Sequence, residues 1–147
     1  MQVVILAGGL GTRLNERTRE RPKALVEVNG EPFLAHQLRL LQRSGIERVL
    51  LSIGFRGEMI QDFAGDGRAF GLHIDYVFDG PVLLGTAGAI RAAFRHLDSE
   101  FFVLYGDSYL PCEYKAVEQA FRNSGKLGLM TVYRNEGLYD TSNVEYV

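Results

Sequence analysis

Two short runs, "QVVILA" at 2–7 and "ERVLLSIG" at 47–54, are apolar with no alternation. A strand with one solvated face alternates apolar and polar residues, so runs like these fit strands buried on both faces. Only a sheet covered by other elements on each side offers such burial, and the intervening segments supply the covers. "EPFLAHQLRLLQRSG" reads as a helix, with Pro32 in its first turn, an apolar stripe of Phe33, Leu34, Leu38 and Leu41, and Gly45 to end it. "GEMIQDFAG" reads as a short helix, and "CEYKAVEQAFRNSG" as a longer one closed by glycine. "GPVLLGTAGAIRAAFRHL" begins as a loop and turns helical from Ala87 or Gly88. "LHIDYVFD", "FFVLYGD", "LGLMTVYR" and the terminal "NVEYV" read as further strands. "LVEVNG" alternates and then turns, and "GDGRAFG" is a turn-rich loop. Strands alternating with helices predict an α/β fold with a largely parallel sheet covered on both faces.

In such sheets ligands bind beyond the carboxyl ends of the strands. Two motifs fall there. The first strand runs into "LAGGLGTRL", which carries Gly8, Gly9 and Gly11, then Thr12 and Arg13. The strand at 101–105 runs into Gly106 and Asp107. Glycines let a ligand approach the main chain, and successive N–H groups make a nest for anions such as phosphate. Arg13 can contact phosphate oxygens bidentately, and Lys23 can add a compact charge. The bland reading is a tight turn with a surface arginine. Two better-known phosphate loops do not fit. A Walker loop ends in Gly-Lys-Ser/Thr where this one has Gly-Thr-Arg, and the dinucleotide fingerprint needs a third glycine near Leu14.

Composition narrows the field. The 147 residues suit one domain, and a net charge of -2 gives no field to recruit nucleic acid or an anionic membrane. The lone Cys112 excludes an internal disulfide and fits a reducing, cytoplasmic setting. No Cys/His cluster has zinc spacing. The first apolar run is too short to span a membrane and lacks the basic leader of a signal peptide.

"LAGGLGTRL" followed by "RPKAL" at 21–25 resembles the two-part signature of the sugar-1-phosphate nucleotidyltransferases, G-G-x-G-T-R-L and then P-K-x-L. "LLGTAGAI" at 83–90 resembles the family's second nucleotide loop, and "FFVLYGDSY" the strand whose last aspartate holds Mg²⁺. "GDGRAFGLHIDY" is similar to a segment of the subgroup acting on heptose, mannose or N-acetylmuramic acid phosphates. The resemblance implies a three-layer α/β/α, Rossmann-like sandwich with a mostly parallel mixed sheet. It also implies transfer of a nucleotidyl group from an NTP to a sugar 1-phosphate with release of pyrophosphate. By the same resemblance Leu6, Ala7, Gly8, Gly9, Gly11 and Thr12 line the nucleotide. Arg13 holds the β- and γ-phosphates, Lys23 stabilises charge at the α-phosphate, and Asp107 carries Mg²⁺. Gly85, Thr86, Ala87 and Gly88 lie by the base and ribose, and Ser142 and Asn143 face the sugar.

Several readings stay open at this level. "LGTAG" favours GTP, but uridylyl and cytidylyl enzymes share the subgroup. Family members run longer, so the expectation is that residues 1–147 are the nucleotide-binding part and the sugar-binding part is missing. The chain then reads either as an active transferase or as a nucleotide-binding module without turnover. A last strand with an open edge invites a second copy, hence a homo-oligomer. Asp107 could instead cap the next segment. Asp79 could touch nucleotide or end a strand, and Tyr105 and Tyr109 could stack or pack. His36, His73, His96, Asp66 and Cys112 read as structural.

Overall fold

The computed structural model describes residues 1–9, 21–80, 84–138, 141 and 144. It forms two compact units, Met1–Cys112 and Glu113–Val147.

The first unit is built on four strands: β1 (Gln2–Ala7), β4 (Arg48–Ile53), β5 (His73–Phe78) and β6 (Phe101–Tyr105). They lie in the order β5-β4-β1-β6, and all three pairings are parallel. The register sets Val4 beside Leu50 and Ile5 beside Leu51. Between these units of sequence lie α1 (Phe33–Arg43), α2 (Gly57–Ala64) and α3 (Gly85–Ala93). The two non-alternating runs take the two central positions, where Val3, Val4, Ile5, Val49, Leu50 and Leu51 have no exposed surface.

Side chains alternate between the sheet's faces, and each face has its helix. Val4 and Leu50 pack with Ala93 of α3, joined by Leu6, Val77, Leu97 and Phe101. On the opposite face α2 begins so close to Ile53 that a Cβ on Gly57 would lie 3.1 Å from that side chain. In α1, Leu34, Leu38 and Leu41 are buried as the stripe predicts. Buried Gln2 is satisfied at both ends: its Nε2 donates to the His96 carbonyl at 3.1 Å and its Oε1 accepts from the Asp98 amide at 2.9 Å. That fastens the segment before β6 to the start of β1.

"LVEVNG" forms a small hairpin, β2 (Glu27–Val28) and β3 (Glu31–Pro32), antiparallel. Asn29 and Gly30 both have positive φ (52° and 81°), as a two-residue turn of this hand requires. Two expectations are corrected. The helix after the second loop begins at Gly85, ahead of Ala87 or Gly88, because the Gly85–Gly88 stretch itself winds as its first turn. Residues 127–134, expected as a strand, are in no strand. Leu127, Met130, Val132 and Tyr133 there are exposed. Strand-type residues form a strand only where a ladder and a buried face receive them. In the same unit α4 (Tyr114–Ser124) forms as expected and ends at Gly125 in the left-handed conformation.

Two stability outcomes follow from this packing. Leu50→Ala should cost about 2–5 kcal/mol, measured by urea denaturation, since a fully buried leucine is removed from a tight cluster. Burial, with the Asp66 carboxylate adding to it, pushes the Tyr76 phenol up to about 12. An unfolded tyrosine ionises near 10, so the contribution of Tyr76 is complete below that pH and is lost as pH rises towards 12. Tyr76→Phe should therefore flatten the alkaline fall in melting temperature; parallel curves for the two proteins would assign that fall to another group.

Candidate functional site

The carboxyl ends of β1, β4 and β6 come together at a spacing only glycine permits. A Cβ on Gly54 would sit 2.8 Å from the Gly8 carbonyl oxygen, and one on Gly106 2.9 Å from the Leu6 carbonyl oxygen. The Gly106 amide donates to that same Leu6 oxygen at 2.9 Å. Above these ends opens a cleft of about 350 Å³.

Six separate stretches of sequence meet in it. β1 and its exit contribute Leu6, Ala7, Gly8 and Gly9. A single 3₁₀ turn, Lys23–Leu25, contributes Lys23 and Ala24. Its Ala24 and Leu25 are buried, and the Leu25 amide donates to the Pro22 carbonyl at 2.9 Å, so the turn is anchored and Lys23 is held towards the cleft. The first turn of α3 contributes Gly85 and Thr86, and the exit of β6 contributes Gly106 and Asp107.

Lys23 and Asp107, 84 positions apart in sequence, are in direct contact: Nζ donates to Oδ2 at 2.7 Å. Their side chains are 37% and 48% exposed, so the pair is worth only about 0–1 kcal/mol and is easily exchanged for another partner. The segment bearing Asp107 is held from below by Gln37 of α1. Gln37 is 2% exposed, and its Nε2 donates to the carbonyls of Tyr105 at 3.1 Å and Ser108 at 2.6 Å. At the other end of the cleft Ser52, fully buried in β4, donates from Oγ to Asp79 Oδ1 at 3.1 Å.

Of the residues expected from sequence, Leu6, Ala7, Gly8, Gly9, Lys23, Gly85, Thr86 and Asp107 line this cleft. Ala87 and Gly88 do not; Gly88 packs under Leu84, where a Cβ would lie 2.8 Å from the leucine Cβ. Gly11, Thr12, Arg13, Ser142 and Asn143 lie outside the described residues. Tyr105 lines the cleft and Tyr109 does not. His36 is structural in the sense expected, its Nε2 bonded to the Val28 carbonyl at 2.9 Å. Sequence reasoning passed over Ser52, Gly54 and Gln37. "SIG" at the end of a buried strand was a usable signal for the first two, whereas nothing local marks a glutamine in a helix as a clamp on a distant loop.

Glycine-walled strand ends, one ammonium and two carboxylates gather at the rim where α/β sheets bind ligands. The chain belongs to the nucleotidyl transferase family, whose model matches residues 2–138. It is 32% identical over 146 residues to the D-glycero-alpha-D-manno-heptose 1-phosphate guanylyltransferase of Campylobacter jejuni, covering 99% of this chain and 64% of that protein. It is 39% identical over 104 residues to the enzyme of the same name from Aneurinibacillus thermoaerophilus, covering 71% and 44%. Its fold superposes on HddC from Yersinia pseudotuberculosis, solved complexed with GMP-PN, with a TM-score of 0.72 at 34% identity, covering 81% of this chain and 53% of that one. The chain thus spans less than two thirds of the length of these relatives. No helix among the described residues is long and apolar enough to cross a membrane.

Gln37→Leu would remove the donor shared by the Tyr105 and Ser108 carbonyls, leaving Tyr105 O with the Ser108 amide alone. We expect a loss of about 1–3 kcal/mol in chemical denaturation. Hydrogen exchange should rise over 105–108 and stay unchanged in the β2–β3 hairpin; uniform protection in the variant would remove Gln37 from its clamping role.

Proposed function

We propose that this chain binds a nucleoside triphosphate, GTP by preference, and takes part in transferring its nucleotidyl group to a sugar 1-phosphate, releasing pyrophosphate. The observation that carries the reading is the meeting of Lys23 and Asp107 beside the glycine-lined exit of β1, the combination that a phosphate chain and its counter-ion need. The guanylyltransferase names of the relatives and the GMP-PN complex of the Yersinia protein support guanine, and the relatives' names support a heptose or related hexose as acceptor.

Main-chain N–H groups of Gly8 and Gly9, continued by Gly11 and Thr12, cradle the triphosphate, and Arg13 binds its outer phosphates. Lys23 passes from Asp107 to an oxygen of the α-phosphate, where it offsets the charge that builds as the sugar phosphate attacks in line with departing pyrophosphate. Asp107 fits Mg²⁺, which commonly takes one or two protein carboxylates and completes its shell with phosphate oxygens and water. Bound there, Mg²⁺ would supply Lewis-acid stabilisation of phosphate oxygens. Gly85 and Thr86 border the nucleoside, Ser142 and Asn143 face the sugar, and residues 1–147 act as the nucleotide-binding part of the transferase domain.

The test is the melting temperature of the chain with Mg²⁺ and ATP, CTP, GTP, UTP or dTTP, with NAD as control. GTP at a hundred times its dissociation constant should stabilise by about 2.7 kcal/mol, a rise of about 5–10 °C. A response to NAD alone, or to nothing, would overturn the reading. Lys23→Met should keep the fold and lose most of the GTP response, and Asp107→Asn should lose its dependence on Mg²⁺. Pyrophosphate release with mannose and heptose 1-phosphates then reports turnover.

A further inference from the structure

Helix α1 is hydrogen-bonded to the segments that bear both partners of the Lys23–Asp107 pair. Its first residue, Phe33, donates its amide to the Val26 carbonyl at 2.9 Å, and the Val26 amide donates to the Lys23 carbonyl at 3.1 Å. One helical turn further along α1, buried Gln37 sends its Nε2 to the carbonyls of Tyr105 and Ser108. Those two residues are the ends of a tight turn, closed by the Ser108 amide on the Tyr105 carbonyl at 3.1 Å, and Asp107 stands third in it. The Gly106 amide, bonded to the Leu6 carbonyl, ties the same turn to β1. The main chain of the carboxylate is thus fixed to one strand and, through a single side chain, to the helix that also anchors the ammonium.

That side chain carries a cost. Both partners of Gln37 Nε2 are acceptors, so the amide group can face them only nitrogen-first. Its oxygen, Oε1, is left buried with no hydrogen-bond partner among the described residues. A buried acceptor without a donor is destabilising, and Leu34, Leu38 and Leu41 on the same buried stripe bear no such cost. What Gln37 gains in exchange is confined to the two ends of the Asp107 turn. Asp107 needs that hold. Its side chain is 48% exposed and, among the described residues, pairs with Lys23 alone. Once Lys23 moves to phosphate, only the turn beneath Asp107 directs its carboxylate. Mg²⁺ demands near-ideal octahedral geometry, so a carboxylate that meets it has to be placed in advance. We propose that Gln37 is the positioning residue for the metal, fixing the Asp107 turn so that the carboxylate meets Mg²⁺ carried on the triphosphate. This rests on the nucleotide reading of the cleft above. Lys23 and the Gly8–Gly9 backbone have anchors of their own, so the effect of Gln37 falls on the metal and spares the phosphates.

Calorimetric dissociation constants for GTP, with Mg²⁺ and with EDTA in its place, test this on the unaltered chain and on Gln37→Leu. The variant should bind GTP about 10-fold more weakly with Mg²⁺ and about equally well with EDTA. A merely structural role would weaken both, so equal losses overturn the proposal, as does no loss at all. Should the variant not fold, the unaltered chain carries the test. In its metal-free GTP complex the side-chain amide signal of Gln37, followed by nuclear magnetic resonance, should shift when Mg²⁺ is added; an unmoved signal overturns the proposal. Equal affinity of the unaltered chain for GTP with Mg²⁺ and with EDTA overturns the metal role of Asp107 and this inference with it. Failure of the unaltered chain to bind any triphosphate overturns the nucleotide reading itself.

Discussion

The enclosure of β1 governs everything built around it. It has β4 along one edge and β6 along the other, and Val3, Val4 and Ile5 show no surface on either face. A strand enclosed on four sides can meet a ligand only at its end. All three pairings in the sheet are parallel, so the ends of its neighbours arrive at the same rim. Gly8, Gly54 and Gly106 then matter for what they lack: side chains there would collide with the adjoining main chain or with Asp79. The closeness that packs the core also bares a row of backbone around the cleft.

Much of this could be read from sequence because its causes are local. An apolar run without alternation means burial on two faces, and a Leu34–Leu38–Leu41 stripe means a helix on a core. Asn29–Gly30 means a tight turn. Gly8, Gly9, Lys23 and Asp107 stand out as residue types that suit phosphate, and the parallel sheet tells at which rim they gather. The fold predicted as α/β with a largely parallel sheet is the one observed. Less legible were effects that depend on distant partners. Residues 127–134 have strand-type composition, yet composition does not say whether a ladder receives them. The helix expected from Ala87 or Gly88 begins at Gly85, because propensity counts the entropic cost of glycine and misses the packing of Gly88 under Leu84. Ser52 sits amid hydrophobic neighbours and Gln37 between His36 and Leu38, and the roles of both exist only across the fold.

The two carboxylates of the cleft are held in different ways. Asp107 is held by an ammonium on a half-exposed side chain, a bond of low net worth that water and phosphate can both replace. Asp79 is held by a hydroxyl that is itself fully buried, a partner that cannot leave without the strand. An exchangeable partner suits the end where charge must be rearranged as a bond between phosphates breaks. The sheet keeps the two apart by placing them beyond opposite outer strands.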